Sequence, residues 1–253
     1  MTVTFLGSGT SQGVPVIACN CAVCKSVDKR DKRLRSSILI EAEDKTVVID
    51  TGPDFRYQML RANVQHLDAV VYTHEHKDHI AGMDDIRAFN FKQQQPMNIY
   101  ADSRVQAALM REFPYVFAEF KYPGIPQVNI HPIDTEPFDI GSIHFIPIEV
   151  LHYKLPVLGY RINDFTYVTD AKTVSVTEKQ KILGSKILVI NALQKENHIS
   201  HFTLDEAIAF AREIGAETTY FTHISHRLGK HADVAAELPP GIKLAYDGLQ
   251  LTI

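Results

Sequence analysis

The chain has 253 residues, 45% of them hydrophobic and 22% charged, a balance that suits one well-cored domain spanning 1–253. A net charge of −4, with a pI near 6.3, spreads no basic field over the surface and disfavours nucleic acid as a partner. The first residues lack a basic-then-apolar leader and no apolar run is long enough to span a bilayer, so a cytoplasmic protein with no membrane partner is expected.

Residues 3–6 read as a first strand, closed by a loop holding Gly7, Gly9 and Gly13 whose N–H groups either face an anion or make a tight turn. All three cysteines follow as Cys19, Cys21 and Cys24, in a loop at about 18–26. An odd count in one tight cluster is a poor disulfide framework and a good thiolate metal site, with a fourth ligand to come from elsewhere. The basic run across 25–35 reads as a solvated face. Residues 37–40 and 46–49 form a hairpin about Glu43, Asp44 and Lys45, and a helix is expected from Pro53 to about Ala62. Asp50, acidic at the end of an apolar strand, suits the orientation of a neighbouring metal loop better than direct ligation.

Residues 68–72 are an apolar, β-branched strand running straight into His74, His76, Asp78 and His79, an H-x-H-x-D-H run. Alternate side chains of a turning backbone converge, so His74 and His76 can share a cation. Asp78 and His79 follow one turn later and face elsewhere, so one loop can serve two ions. A merely solvated loop is the weaker reading, because four potential ligands rarely coincide at this spacing behind a β-run.

Farther on, helices are expected at 84–91 and 103–113, with a strand at 97–100 between them. Residues 114–126, with Tyr115, Phe117, Phe120 and Tyr122, read as a packed loop rather than a lid. Strands follow near 128–131, 143–149, 159–162, 165–169 and 186–190, then a helix over 203–214 with Thr203 as N-cap and Glu206 at its third position. A strand at 218–222, a helix near 232–238 and a strand at 249–253 complete an α/β pattern that fits a four-layer αβ/βα sandwich. His152, Asp170 and His223 stand at strand ends; each alone reads more readily as a satisfied structural group than as a ligand.

Taken together, the order H-x-H-x-D-H, His152, Asp170, His223 resembles the metallo-β-lactamase superfamily. The resemblance implies His74, His76 and His152 on one divalent ion and Asp78, His79 and His223 on a second, with Asp170 bridging them. It also implies Mn²⁺ or Zn²⁺ and a hydroxide bridging the ions as nucleophile. With the glycine loop, the cysteine cluster and the late T-H-I-S-H run included, the chain is similar over essentially its whole length to the phosphoribosyl cyclic phosphate phosphodiesterases of phosphonate breakdown. That likeness implies a structural zinc on Cys19, Cys21, Cys24 and His226. It implies His201 as proton donor, with His198 the poorer choice, and Asp78 and Asp170 as further catalytic groups.

The expected substrate is a small or cyclic phosphodiester. Rival readings are a tRNA 3′-processing endonuclease, which the acidic balance opposes, a thioesterase or lactamase, and a non-hydrolytic accessory protein of pyrroloquinoline quinone synthesis. Asp247, before Gly248, is first of all a turn and secondly a supporting group. A homodimer is the commonest symmetric assembly and the default here.

Overall fold

Three residues of one strand show how the layers arise. Val47 and Ile49 point into one apolar core and Val48 into another, as the two-residue period of a strand requires when both faces are covered. The computed structural model describes residues 1–43, 45–120 and 122–253; Asp44 of the expected hairpin turn and Lys121 of the aromatic stretch lie outside them.

The strands are β1 (Thr2–Gly7), β2 (Ser37–Ala42), β3 (Lys45–Ile49), β4 (Ala69–Val71), β5 (Met97–Ala101), β6 (Val128–Pro132), β7 (Phe138–Ile140), β8 (Ile143–His152), β9 (Leu155–Ile162), β10 (Phe165–Val168), β11 (Thr173–Val174), β12 (Ile187–Asn191), β13 (Thr218–Thr222), β14 (Ile242–Leu244) and β15 (Gln250–Thr252). The helices are α1 (Phe55–Arg61), α2 (Lys77–Ile80), α3 (Arg87–Gln93), α4 (Ser103–Glu112), α5 (Pro114–Phe117), α6 (Val176–Ile182), α7 (Leu204–Ile214) and α8 (His231–Glu237). One sheet runs β15-β1-β2-β3-β4-β5-β6 and the other β11-β8-β9-β10-β12-β13-β14, with β7 beside β8.

Phe5, Ile38 and Val71 of the first sheet meet Phe145, Tyr160 and Tyr167 of the second in the central core. The outer face of the first sheet buries Val48, Val70 and Ile99 against Phe55, Phe89 and Leu109 from the helices. The second sheet does the same with Ile148, Leu188 and Phe221 against Ile182, Phe210 and Val234. Each such side chain gains about 1.5–3 kcal/mol by leaving water, which fixes the order helices, sheet, sheet, helices. No helix among the described residues is long and apolar enough to cross a membrane.

The expected elements recur with shifted edges. The first helix begins two residues after Pro53, and residues 83–93 split into a short 3-10 turn and α3. The capping box of Thr203 and Glu206 opens α7 as expected. Residues 114–126 contain the short α5, after which Phe120 and Tyr122 are exposed. The basic run is not a uniformly solvated face. Arg33 is buried, donating to Ser8 Oγ at 2.8 Å and to the carbonyl of Ala245 at 2.6 Å.

Parallel pairing of β3, β4 and β5 in one sheet, and of β10, β12 and β13 in the other, sends their carboxyl ends to a common rim. That is where open α/β sheets place their reactive side chains. Asp50, Asp170 and His223 each follow such a strand with a left-handed backbone, φ 66°, 65° and 54°. Non-glycine residues hold that conformation at a cost of about 1–3 kcal/mol, and the positions cluster at functional sites. Gly52 lets the first of these turns press on the next loop: a Cβ there would stand 2.2 Å from the carbonyl oxygen of Asp78.

Candidate metal centre

β4 ends at Val71 and the chain turns inward through Thr73, whose N–H and hydroxyl both donate to the Asp50 carboxylate at 2.8 Å. Its hydroxyl proton is thereby committed, so the Thr73 oxygen, 3.0 Å from His74 Nδ1, accepts the proton of that ring. The lone pair of His74 then lies on Nε2, which is 3.1 Å from His76 Nδ1 and 3.5 Å from Asp170 Oδ2.

His79 repeats the arrangement. Its Nδ1 donates to Asp50 Oδ2 at 2.7 Å, leaving Nε2 to face Asp78 Oδ2 at 3.2 Å and Asp170 Oδ2 at 3.4 Å. At the end of β8, His152 donates from Nδ1 to the carbonyl of Ser200 at 2.9 Å. A hydrogen bond on one imidazole nitrogen selects the tautomer and aims the other nitrogen.

The second sheet completes the ring of donors. Asp170 approaches His223 Nδ1 at 3.0 Å, while the opposite nitrogen of His223 lies 3.3 Å from Thr10 Oγ1. Three groupings therefore meet at Asp170. Asp78, His79, Asp170 and His223 have ligand atoms within 4.8 Å of one another, as do His74, His76 and Asp170, and His152, Asp170 and His201. His152 sits between the second group and His201: its ring lies 5.1 Å from that of His76 and 4.4 Å from that of His201. His201 is buried against His223, ring to ring at 4.9 Å, and His198 stands one ring farther out, 5.1 Å from His201.

Tyr160 and Leu158 of the second sheet lock the metal loop from below, donating to the carbonyls of Tyr72 at 2.5 Å and Thr73 at 3.1 Å.

Burial and neighbouring charge pull the groups of this pocket in opposite directions. Burial alone would lower His79, but Asp78, Asp50 and Asp170 outweigh it and hold the imidazole well above its ordinary range. Burial likewise would raise Asp170, yet His223 and His79 hold it well below the carboxylate range. His74 is pushed down to about 3 by burial and by His79. His201 is pushed down to about 2 by burial, with His223, His152 and His198 adding to it, so its ring is neutral.

A second cluster lies alongside. The Sγ atoms of Cys19, Cys21 and Cys24 are 3.3, 3.4 and 3.6 Å from His226 Nδ1. Backbone N–H groups of Val16 and Cys24 point at two of the sulfurs. The Cys24 N–H and His226 draw Cys21 down to about 6, whereas burial pushes Cys24 up to about 11. Three N–H groups of the glycine loop are taken up inside the protein: Gly9 donates to Leu34, Thr10 to Ile224 and Gly13 to Thr10, so the loop is a turn that ties this cluster to the His223 strand. Asp247 supports the same loop, accepting from Ser8 N, Ser8 Oγ and Leu34 N.

Thr10, Thr73 and the Ser200 carbonyl are the groups that the motifs alone do not single out. Each touches a histidine through contacts that only the fold creates.

Residues 45–224 match the beta-lactamase superfamily domain. The crystal structure of a diphosphatase from the PhnP family superposes with a TM-score of 0.93 at 40% identity, covering all of this chain and 97% of that one. The octanoyltransferase of Porphyromonas gingivalis is 38% identical over 256 residues, and the chain spans about half its length, 52%. The zinc-bound PqqB of Methylobacterium extorquens shares the fold across the full length of both chains, with a TM-score of 0.76 at 20% identity. The chain belongs to the metallo-β-lactamase superfamily and, within it, is of the PhnP type.

Proposed function

We propose that the chain hydrolyses small phosphate esters, phosphodiesters and diphosphates, using two divalent ions. One is held by His74, His76, His152 and Asp170, the other by Asp78, His79, His223 and Asp170. The observation that carries this reading is the inward set of ligand atoms about Asp170. His79 Nε2 and His223 Nδ1 are buried without a hydrogen-bond partner, each within 3.0 to 3.4 Å of an Asp170 oxygen. Buried imidazole nitrogens crowded against carboxylate oxygens call for positive charge between them, a proton on His79 in the metal-free pocket and a divalent ion when one is bound. Histidine and carboxylate donors without thiolate suit Mn²⁺ or Zn²⁺ equally. The Cys₃His cluster, closed by His226, is assigned a structural zinc, since such a donor set leaves no open position.

Ions bound there would supply ionised water at neutral pH and a positive clamp for phosphate oxygens. The chain's own groups do the rest. Asp50 and the Ser200 carbonyl keep His79 and His152 aimed inward, and the buried walls exclude bulk water. His201, beside both His152 and His223, is the proton donor to the departing oxygen. An anionic phosphate against the ring would favour its protonated form, opposing the burial that holds it neutral.

The PhnP-family diphosphatase supports a phosphorus–oxygen linkage as the target. The octanoyltransferase name belongs to a protein of which this chain matches about half, and all three cysteines lie in the other cluster, away from the histidine pocket. The test is metal analysis followed by a panel of cyclic phosphodiesters, linear phosphodiesters, diphosphates, thioesters and precursor tRNA. Turnover confined to the phosphate esters, lost with Asp170→Ala together with bound metal, is the expected result. Preference for thioesters or for precursor tRNA, or a protein that recruits no divalent ion, would overturn it.

A further inference from the structure

Beside His76 and His152 the protein opens a cleft of about 530 Å³, within the range of about 300–1,000 Å³ found for ligand sites and larger than a bare phosphate requires. Its walls come from two places: the tip of the β8–β9 hairpin, with Tyr153, Lys154 and Leu155, and Ile199 on the segment that leads to His201. Ile199 is 65% exposed and Tyr153 50%, and neither contributes to the apolar cores. Exposed apolar side chains beside two imidazoles and an ammonium mark a contact surface for something apolar that carries charge at one end.

The hairpin turn is unusual for its sequence. His152 pairs with Leu155, so Tyr153 and Lys154 form the whole two-residue turn, and Tyr153 sits at φ 57°. Asn-Gly or Asp-Gly fills such turns without strain, whereas an aromatic residue does not. A departure from turn chemistry beside a reactive centre indicates that the side chain is kept for what it contacts. Lys154 Nζ lies 5.4 Å from the Tyr153 ring centroid, and Lys154 makes no ion pair among the described residues. The cleft thus offers an aromatic face, an aliphatic wall and a cation on the path to the histidines.

Resting on the phosphate-ester reading above, we infer that this cleft is a base subsite and that the substrate is a nucleotide ester. Its base stacks on Tyr153 against Ile199, and its phosphates pass Lys154 to reach His76 and His152. An acyl chain would leave the Lys154 ammonium without a partner. A sugar phosphate would leave both apolar side chains without a partner. A base presents a flat face to the ring and carries its charge on the phosphate side, which matches the order of groups here. Stacking of this kind tolerates any base.

The experiment uses the metal-loaded protein with two substrates of identical linkage: adenosine 5′-diphosphate methyl ester and the same compound lacking the base. The wild type is expected to favour the base-bearing ester by about tenfold or more in kcat/KM, chiefly through KM. Tyr153→Ala and Ile199→Ala should shrink that preference to about twofold, while Tyr153→Phe retains it. No preference in the wild type, or one unmoved by Tyr153→Ala, overturns the subsite even where both esters are hydrolysed. If neither ester is hydrolysed, the parent reading fails by itself and calorimetry with adenosine monophosphate decides the cleft. Tighter binding to the wild type than to Tyr153→Ala supports it, and equal binding ends it.

Discussion

Nδ1 of His79 lies 2.7 Å from Oδ2 of Asp50, and neither side chain touches solvent. The same carboxylate accepts the Thr73 N–H and hydroxyl, so one buried acid aligns both ends of the run from His74 to His79. Asp50→Ala would leave three buried donors without an acceptor. The expected cost is about 2–5 kcal/mol in denaturant unfolding of the metal-stripped protein. Metal affinity should also fall by about 10–100-fold, read by titration. A variant of lowered stability whose metal affinity is intact would show that Asp50 has no part in aiming His79.

The reach of each interaction along the chain decides what can be read from the residues alone. His74, His76, Asp78 and His79 share one loop, so spacing suffices to place them together. The period-two apolar pattern at 37–40 and 46–49 is equally local. Thr10 and His223 are 213 residues apart, and their contact exists only because the N-terminal loop folds over the end of β13. Arg33 reads as one cation in a basic run, yet partners from the other end of the chain draw it inside. Asp247-Gly248 reads as a turn, which hides a buried carboxylate that braces Ser8 and Leu34. Helix α6 was open to detection: Ser175 caps it, with Glu178 three residues on, but its polar sequence gives the apolar period little to show. The edge strands β7, β11 and β14 have two or three residues each, too few for any period to register.

The cysteine cluster carries a prediction that is independent of turnover. The N–H groups of Cys24 and Val16 and the ring of His226 favour thiolate at one or more of the sulfurs, as a structural zinc requires. Cys21→Ser is expected to lose one zinc per chain by elemental analysis and more than about 3 kcal/mol of stability. Ile224 hydrogen-bonds Ser8 and Thr10 between His223 and His226, so a zinc bound there would brace the loop of the histidine pocket as well. Unchanged zinc content and unchanged Tm would reduce the cluster to three ordinary thiols.

His231 yields a pH prediction away from both clusters. Its Nδ1 accepts from Arg33 at 3.1 Å, and burial first, then the charge of Arg33, push its pKa from 6.5 to about 4. Between those values the unfolded chain binds more protons than the folded one. Stability is therefore full above pH 6.5 and declines as the pH falls toward 4. His231→Gln keeps an acceptor for Arg33 and removes the titration. Its Tm should fall less than that of the wild type over this window, and parallel curves of Tm against pH would refute the assignment.

His201 is the group whose role the leaving oxygen can test. A proton donor matters most when the departing alkoxide is a strong base and least when it is already stable. With metal-loaded protein, His201→Ala is expected to slow hydrolysis of an alkyl ester by about 10²–10⁴-fold and that of a nitrophenyl ester far less. His201 also lies close enough to His152 and Asp170 to share an ion with them, so metal content is measured in parallel. Loss of metal together with equal losses on both esters would make His201 a ligand and not the acid. Intact metal with the unequal losses described above would assign it the proton.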